Sequence, residues 1–366
     1  MQSSPPHTSA GDPLVRLGWN EAIAALYREF DGPDRLPGRV LRVDRGSSLV
    51  AIRRGTTRVP MSRDETPSGA ESGTPITGDW VVVRPDPDEG EVVEAILPRR
   101  TAILRSDPSA GDGRPTVQVL AANLDRVGIV HGLDRPVQPG RIERFLVIAW
   151  ESGARPLLVL TKLDLVERNY VDDTVFELEE LAPGVEVLPV SNVTGEGIDR
   201  LDSLIGPGTT VALIGASGTG KSSLVNRLAG DEVQSTGDTR RGDGKGKHTT
   251  TSRDLIPLAS GGVLIDTPGL REVGVWGSRQ GLASAFDDIT SLAASCRFRD
   301  CRHTNEPDCA VREAVESGRL EERRLDSYRD LDGELGRLER QTAKRSTRES
   351  ARRPTVAPPD ISDEDW

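Results

Sequence analysis

Residues 210 to 229 read TVALIGASGTGKSSLVNRLA. An apolar, β-branched run enters a glycine-rich turn and leaves as an amphipathic stretch, the pattern of strand, tight loop and helix. From Gly215 to Ser222 the spacing is G-x-x-x-x-G-K-[ST], that of a loop that cradles phosphate. Its glycines let the backbone N–H groups of residues 218 to 222 turn inward on an anion. Lys221 then neutralises β/γ charge, and the Ser222 hydroxyl is placed to ligate Mg2+. Such loops sit at the carboxyl edge of a parallel sheet, so this feature commits the middle of the chain to an α/β fold.

The flanking sequence agrees. From about Leu120, strand-like LDRVGIVHG, RPLLVLT, VEVLPVS, TVALIG and GGVLIDT alternate with helical PGRIERFLVIAWESG, VDDTVFELEELAPG, EGIDRLDSLI and LVNRLAG. That alternation is the signature of a doubly wound sheet. The strand ending in DTPG delivers Asp266 to Mg2+ and the Gly269 N–H to a γ-phosphate. Between it and the phosphate loop lies GKGKHTTTSRD, basic and poor in apolar residues. One of Thr249, Thr250 or Thr251 is expected to close on Mg2+ as a switch, and Thr250 is taken as that residue. Position 270 is leucine, which can neither donate nor accept, where Ras-like enzymes use a glutamine to orient water. His248, beside the threonines, is the candidate for orienting or deprotonating the attacking water, with Lys221 and Thr250 as the other catalytic candidates.

Base identity is read from TKLD, residues 161 to 164. A carboxylate at a strand end can accept from N1–H and N2–H2 of guanine, whereas adenine offers it no matching donors. Asp164 therefore selects GTP and GDP, Lys162 packs along the base plane, and Ser191 and Asn192 line its other side. Thr161 stands where asparagine is commoner and Asn192 where alanine is. The expected nucleotide-binding set is Thr161, Lys162, Leu163, Asp164, Ser191, Asn192, Gly215, Ala216, Ser217, Gly218, Thr219, Gly220, Lys221, Ser222, Ser223 and Gly269; Ser222, Asp266 and Thr250 are the Mg2+ set. TKLD precedes the phosphate loop, whereas GTPases ordinarily have the reverse order. Strand positions in a sheet do not depend on where the termini fall, so the order reads as a circular permutation that leaves the pocket intact.

Outside this region, the formal net charge of -11 argues against a nucleic-acid partner on average. The charge is segregated, however. Between Arg35 and Arg63 stand eight arginines and a single acid, Asp44. They fall on short alternating runs, RVLRVD, SLVAIRR, TTRVPMS, DWVVVRP and EVVEAILP, that suggest a small β-barrel of the oligonucleotide-binding type ending near Pro98. WNEAIAALYREF, from Trp19 to Phe30, reads as a short helix before it. All three cysteines lie in C-RFRD-C-R-H-TNEPD-C, where Cys296, Cys301, His303 and Cys309 offer four ligands for one structural, tetrahedral Zn2+. No run is apolar over the ~20 residues needed to span a bilayer, and the start lacks the parts of a secretion signal, which points to the cytoplasm and away from a membrane.

The strings RVLRVDRG, GDWVVV, NLDRVGIV, TKLDL, GASGTGKSSLVN, GKHTTTSRDL, DTPGLRE and CRFRDCRHTNEPDCAV resemble the ribosome-small-subunit-dependent GTPase A family across nearly the whole chain. The resemblance implies an oligonucleotide-binding (OB-fold) barrel, a circularly permuted P-loop GTPase domain and an α-helical zinc-binding domain. It implies GTP hydrolysis stimulated by the small ribosomal subunit and its rRNA, late in subunit maturation. The expected organisation is a disordered segment and short helix (1–34), barrel (35–115), GTPase (116–280), helical zinc unit (281–341) and disordered tail (342–366), acting as a monomer. The D-x-x-G turn leads into the zinc unit, so nucleotide state is expected to be read out there, with the basic barrel toward the base-reading end of the permuted chain. Two other readings stay open: a nucleotide-gated RNA-binding module with negligible turnover, and an ATPase or kinase built on the same loop.

Overall fold

A computed structural model describes residues 12–62, 67–107, 116–230, 254–265 and 279–350, with side chains described to 340. Two short helices, α1 (Pro13–Arg16) and α2 (Glu21–Tyr27), open it. Asp12 and Asn20 cap them by accepting from Leu14 N and Ile23 N at 3.0 and 3.1 Å, a role that short polar side chains fill well. Spacing along α2 puts Ile23, Ala24 and Tyr27 on its buried side, and Trp19 meets Trp80 edge-on at 5.2 Å.

Five strands follow: β1 (Leu36–Asp44), β2 (Ser47–Ile52), β3 (Gly55–Val59), β4 (Trp80–Asp86) and β5 (Gly90–Ile96). They pair antiparallel in the order β3-β2-β1-β4-β5. Just past β3 the chain returns alongside β5. Met61 bridges Val93 in parallel, Val93 N donates to Pro60 O and Ser62 N to Val93 O, each at 2.8 Å. The sheet thus closes on itself as the barrel expected from sequence, around Val40, Val50, Val59, Val81, Val83, Val93 and Ile96. A hairpin that the sequence reading does not contain follows, β6 (Ala102–Asp107) with β7 (Thr116–Ala122). It pairs across residue 115, so the expected boundary between barrel and GTPase segment runs through it.

The central sheet holds β8 (Arg126–Gly132), β9 (Arg155–Thr161), β10 (Glu186–Pro189), β11 (Thr210–Ile214), β12 (Leu255–Pro257) and β13 (Val263–Ile265). Their order is β10-β9-β8-β11-β13-β12, parallel except for β12. Helices α3 (Pro139–Glu151), α4 (Arg168–Leu181), α5 (Ile198–Leu204) and α6 (Lys221–Ala229) connect them. The strands are apolar on both faces because helices cover both. Strand β12 is too short to show a period in the sequence.

The barrel packs against β12, where Arg42 bridges Asp254, at the sheet edge farthest from β10. It lies first in the chain, next to the strands expected to read the base, yet in space it sits at the other edge, a correction to the sequence expectation. Arg39 fixes it there. Buried in β1, it donates to Leu17 O (2.9 Å), Asn123 O (3.2 Å) and Thr210 Oγ1 (3.3 Å) and stacks over Trp80. Burial pulls its guanidinium down to about 10, with Asp125 and Asp79 opposing that shift.

Helices α7 (Arg279–Ala285), α8 (Asp287–Ala293), α9 (Ala310–Glu316) and α10 (Glu322–Ser350) complete the structure. Glu143 of α3, fully buried, accepts from Arg324 Nη1 (2.9 Å), Arg323 Nη1 (3.1 Å) and Ser327 Oγ (2.5 Å) of α10. Helix α10 runs to Ser350, past Thr342 where the sequence reading begins a disordered tail. TAKRSTRES contains neither glycine nor proline and is rich in long-chain residues that lose little entropy in a helix, so it continues the helix without apolar periodicity. Among the described residues, no helix is long and apolar enough to cross a membrane.

Candidate functional site

The carboxyl ends of β8, β9, β10 and β11 converge on one edge of the sheet, where doubly wound folds keep their sites. From β11 the chain enters the phosphate loop. A Cβ on Gly215 would lie 2.4 Å from Val130 O, and Gly220 has φ +84°, so both positions require glycine. Gly220 caps α6, and Lys221, Ser222 and Ser223 form the first turn of that helix, where free N–H groups and the helix dipole favour an anion. Lys221 Nζ folds back onto Gly215 O (2.7 Å) and Ala216 O (2.5 Å).

TKLD ends β9, and its residues divide. Lys162 adopts the left-handed conformation (φ +63°), and its ammonium pairs with Asp134 at 2.7 Å. Asp164 is exposed at the rim in a single 3-10 turn, with one carboxylate oxygen accepting from Ser191 Oγ at 2.6 Å. Thr161 and Leu163 are buried, so they shape the site from beneath. Ser191 is buried too and turns to Asp164, while its Oγ accepts from Val193 N and Thr194 N. Its hydroxyl is thus committed to the Asp164 carboxylate and to the loop that follows β10. Asn192 Nδ2 donates to Gly220 O at 3.3 Å, joining the end of β10 to the phosphate loop.

Three residues at the end of β8 escape a sequence reading: His131, Asp134 and Arg135. Asp134 holds Lys162 and Arg135 together, and these two cations keep its carboxyl below the usual range despite partial desolvation. His131 Nε2 lies 3.2 Å from Arg135 O; burial lowers the ring's pKa, so the neutral imidazole donates from Nε2. HGLDRP looks like an ordinary turn, and only the sheet order sets it beside the phosphate loop. His248, Thr249, Thr250, Thr251, Asp266, Gly269 and Leu270 lie outside the described residues.

A second cluster joins Cys296, Cys301, His303 and Cys309, whose ligand atoms all lie within 4.8 Å of one another. Cys296 Sγ is 3.9 Å from Cys309 Sγ and 3.6 Å from His303 Nδ1, and His303 Nδ1 is 3.4 Å from Cys309 Sγ. Ligand atoms ~2.0–2.3 Å from a tetrahedral Zn2+ stand roughly 3.4–3.8 Å apart, so this group can bind one zinc ion. The loop is shaped by Glu306, which accepts from the backbone N–H of Arg302 (3.0 Å), Thr304 (2.8 Å) and Asn305 (3.1 Å). Those bonds hold its carboxyl down to about 2.

The eight arginines near the barrel are largely spoken for. Arg35 forms a two-pronged pair with Glu94, Arg53 meets Asp12, Arg54 meets Glu91, Arg58 and Arg42 meet Asp44, and Arg39 is buried. Counting charge between residues 35 and 63 found only Asp44, because the other partners, Asp12, Glu91 and Glu94, lie outside that stretch of chain. Arg63 lies outside the described residues. The zinc loop exposes Arg297, Phe298, Arg299 and Arg302 together; of these, Arg297 pairs with Asp308 at 2.9 Å and lies over the Phe298 ring.

Comparison with known proteins agrees with this architecture. The family model described as RsgA GTPase matches residues 96–276. A Streptomyces avermitilis protein named "Small ribosomal subunit biogenesis GTPase RsgA" is 47% identical over 332 residues, 90% of this chain and 88% of its own length. A Methanosarcina acetivorans protein of the same name is 40% identical over 322 residues, 87% of this chain and 84% of its own. The crystal structure of YjeQ from Thermotoga maritima superposes with a TM-score of 0.60 at 27% identity, covering 82% of this chain and 98% of that one. The structure of YloQ, described as a circularly permuted GTPase, gives 0.58 at 25% identity, covering 83% and 96%. With the phosphate loop and the TKLD turn at one sheet edge in permuted order, and similarity at this level over most of its length, the chain belongs to the RsgA GTPase family and is a GTP-hydrolysing enzyme.

Proposed function

We propose that this protein binds the small ribosomal subunit and hydrolyses GTP to GDP and phosphate during late maturation of that subunit, as a cytoplasmic monomer. The convergence of TKLD and the phosphate loop at one sheet edge carries the nucleotide part of this reading. Asp164, steadied by Ser191, accepts from guanine; Lys162 covers the base; the amides of residues 218 to 222 hold the phosphates. Ser222, Asp266 and Thr250 are the side chains suited to Mg2+, which supplies charge neutralisation at the β/γ-phosphates when bound. Gly269 senses the γ-phosphate, Lys221 offsets its charge, and His248 orients the attacking water.

The partner is inferred from the relatives' names and from two surfaces. Barrel strand β1 is joined to Asp254, directly after the segment that holds His248 and Thr250, a short route from nucleotide state to barrel. The zinc loop sets an exposed aromatic ring among three arginines, chemistry suited to stacking on unpaired RNA bases and neutralising phosphate. Zinc is structural in this reading, with no open coordination position among four protein ligands. The deciding measurement is GTP turnover of the purified protein with small subunits, with large subunits and with neither. Stimulation by small subunits alone is expected; stimulation confined to large subunits would remove the proposed partner.

A further inference from the structure

Six consecutive carbonyls of the phosphate loop each accept a hydrogen bond from a side chain. Lys221 takes those of Gly215 and Ala216, and Thr219 Oγ1 also reaches Ala216 O at 3.0 Å. Arg135 Nη1 donates to Ser217 O and its Nη2 to Gly218 O, both at 3.4 Å. Thr161 Oγ1 lies 2.5 Å from Thr219 O and 3.2 Å from His131 O, so its single hydrogen goes to the nearer. Asn192 Nδ2 takes Gly220 O at 3.3 Å. Of these five donor residues, three lie outside the loop and its helix: Arg135, Thr161 and Asn192, which come from the ends of β8, β9 and β10.

In a trans peptide the C=O of one residue and the N–H of the next point in opposite directions. Holding the carbonyls of residues 217 to 220 outward therefore turns the N–H groups of residues 218 to 221 inward, toward the expected phosphate position. We infer that Arg135 and Asn192 are positioning residues that set the phosphate loop from behind, through its carbonyls and without touching the nucleotide. Arg135 spans two adjacent peptide planes with one rigid planar fork, a geometry that the flexible ammonium of a lysine at this position does not hold preformed. It is fixed in turn by Asp134, which also holds Lys162, and by His131 on its backbone carbonyl. Asn192 reaches the loop beside Thr161: a Cβ on Gly220 would meet Thr161 Oγ1 at 3.3 Å and Asn192 Nδ2 at 3.4 Å. The two departures from the commoner GTPase pattern thus lie side by side, with a carboxamide on the neighbouring strand end accompanying the shorter threonine. A loop whose amides are already turned inward pays less ordering cost on binding phosphate.

This inference rests on the nucleotide site proposed above. Its test is calorimetric titration of the zinc-loaded full chain with GDP and with GMP, comparing the ratio of their affinities in the parent, Arg135→Ala, Arg135→Lys and Asn192→Ala. Both side chains lie at the surface or partly so, and thermal melting checks that each variant is folded. Each alanine variant is expected to narrow the GDP-over-GMP preference about tenfold, as loss of a charged or amide donor to the loop implies. Arg135→Lys should narrow it similarly. An unchanged ratio in the alanine variants would overturn the inference, as would restoration of the parent ratio by Arg135→Lys, since charge acting directly on phosphate would then suffice. A parent chain that binds neither nucleotide would instead refute the site itself.

Discussion

On the proposed reading, Asp164 decides which nucleotide enters, because a carboxylate facing the wrong base loses its water without gaining partners. Its neighbours are spent on holding it: Ser191 donates to it, Leu163 anchors its turn in the core, and Thr161 ties the strand end to the phosphate loop. Asp164→Ala should lower GTP affinity on the order of a hundredfold, the loss of two charge-assisted bonds, and collapse the preference over ATP. Competition titration of GTP against ATP measures both; retention of the parent preference would move base recognition to another residue. TKLD made Asp164 visible in the sequence. The partition of labour among its neighbours was not visible, because burial and hydrogen-bond direction depend on strands that meet only in the folded sheet.

At the scale of elements, α3 carries the most varied connections. It follows the β8 turn that holds Asp134 and Arg135, and it buries Glu143 against α10. Arg324 also pairs with Asp288 of α8, donates to Ala285 O and stacks over Phe286, so one guanidinium gathers α3, α7, α8 and α10. The last helices are thereby fastened to the GTPase sheet from behind α3 as well as through the chain that follows β13. Glu143→Gln should destabilise the protein by about 3 kcal/mol, toward the low end for a broken buried pair because Asp288 still holds Arg324. Urea unfolding measures this, and a cost within error of zero would mean that Arg323, Arg324 and Ser327 are satisfied without it. Nothing in RIERFL announces a buried acid; its helical period is clear, but position 143 reads as an ordinary exposed charge.

Over the whole molecule, the barrel, the N-terminal helices, the turn between β7 and β8 and the start of β11 meet at Arg39. Strand β11 leads directly into the phosphate loop, so this junction sets the barrel relative to the nucleotide edge. Arg39→Met preserves length and apolar packing but strands Leu17 O and Asn123 O. We expect a loss of about 3 kcal/mol and a split of the thermal transition, with the barrel uncoupling before the central sheet. A single unshifted transition in calorimetry would show that the barrel is held by its other contacts.

The sequence by itself determined the local motifs and their order along the chain: a phosphate-loop pattern, the TKLD turn, four cysteine and histidine ligands spaced for one metal ion and a permuted α/β pattern. Those signals are local, set by a few residues within one turn or by the periodicity of one element. Tertiary structure decided which charges are free, which edge of the sheet the barrel occupies, how far the last helix runs, and what stands behind the phosphate loop. Each of those depends on residues far apart in the chain, and pairing energies between them leave no periodic or local trace. Arg39, Arg135 and Glu143 are the examples: three charged residues that look solvated in sequence and, once folded, meet partners drawn from other elements.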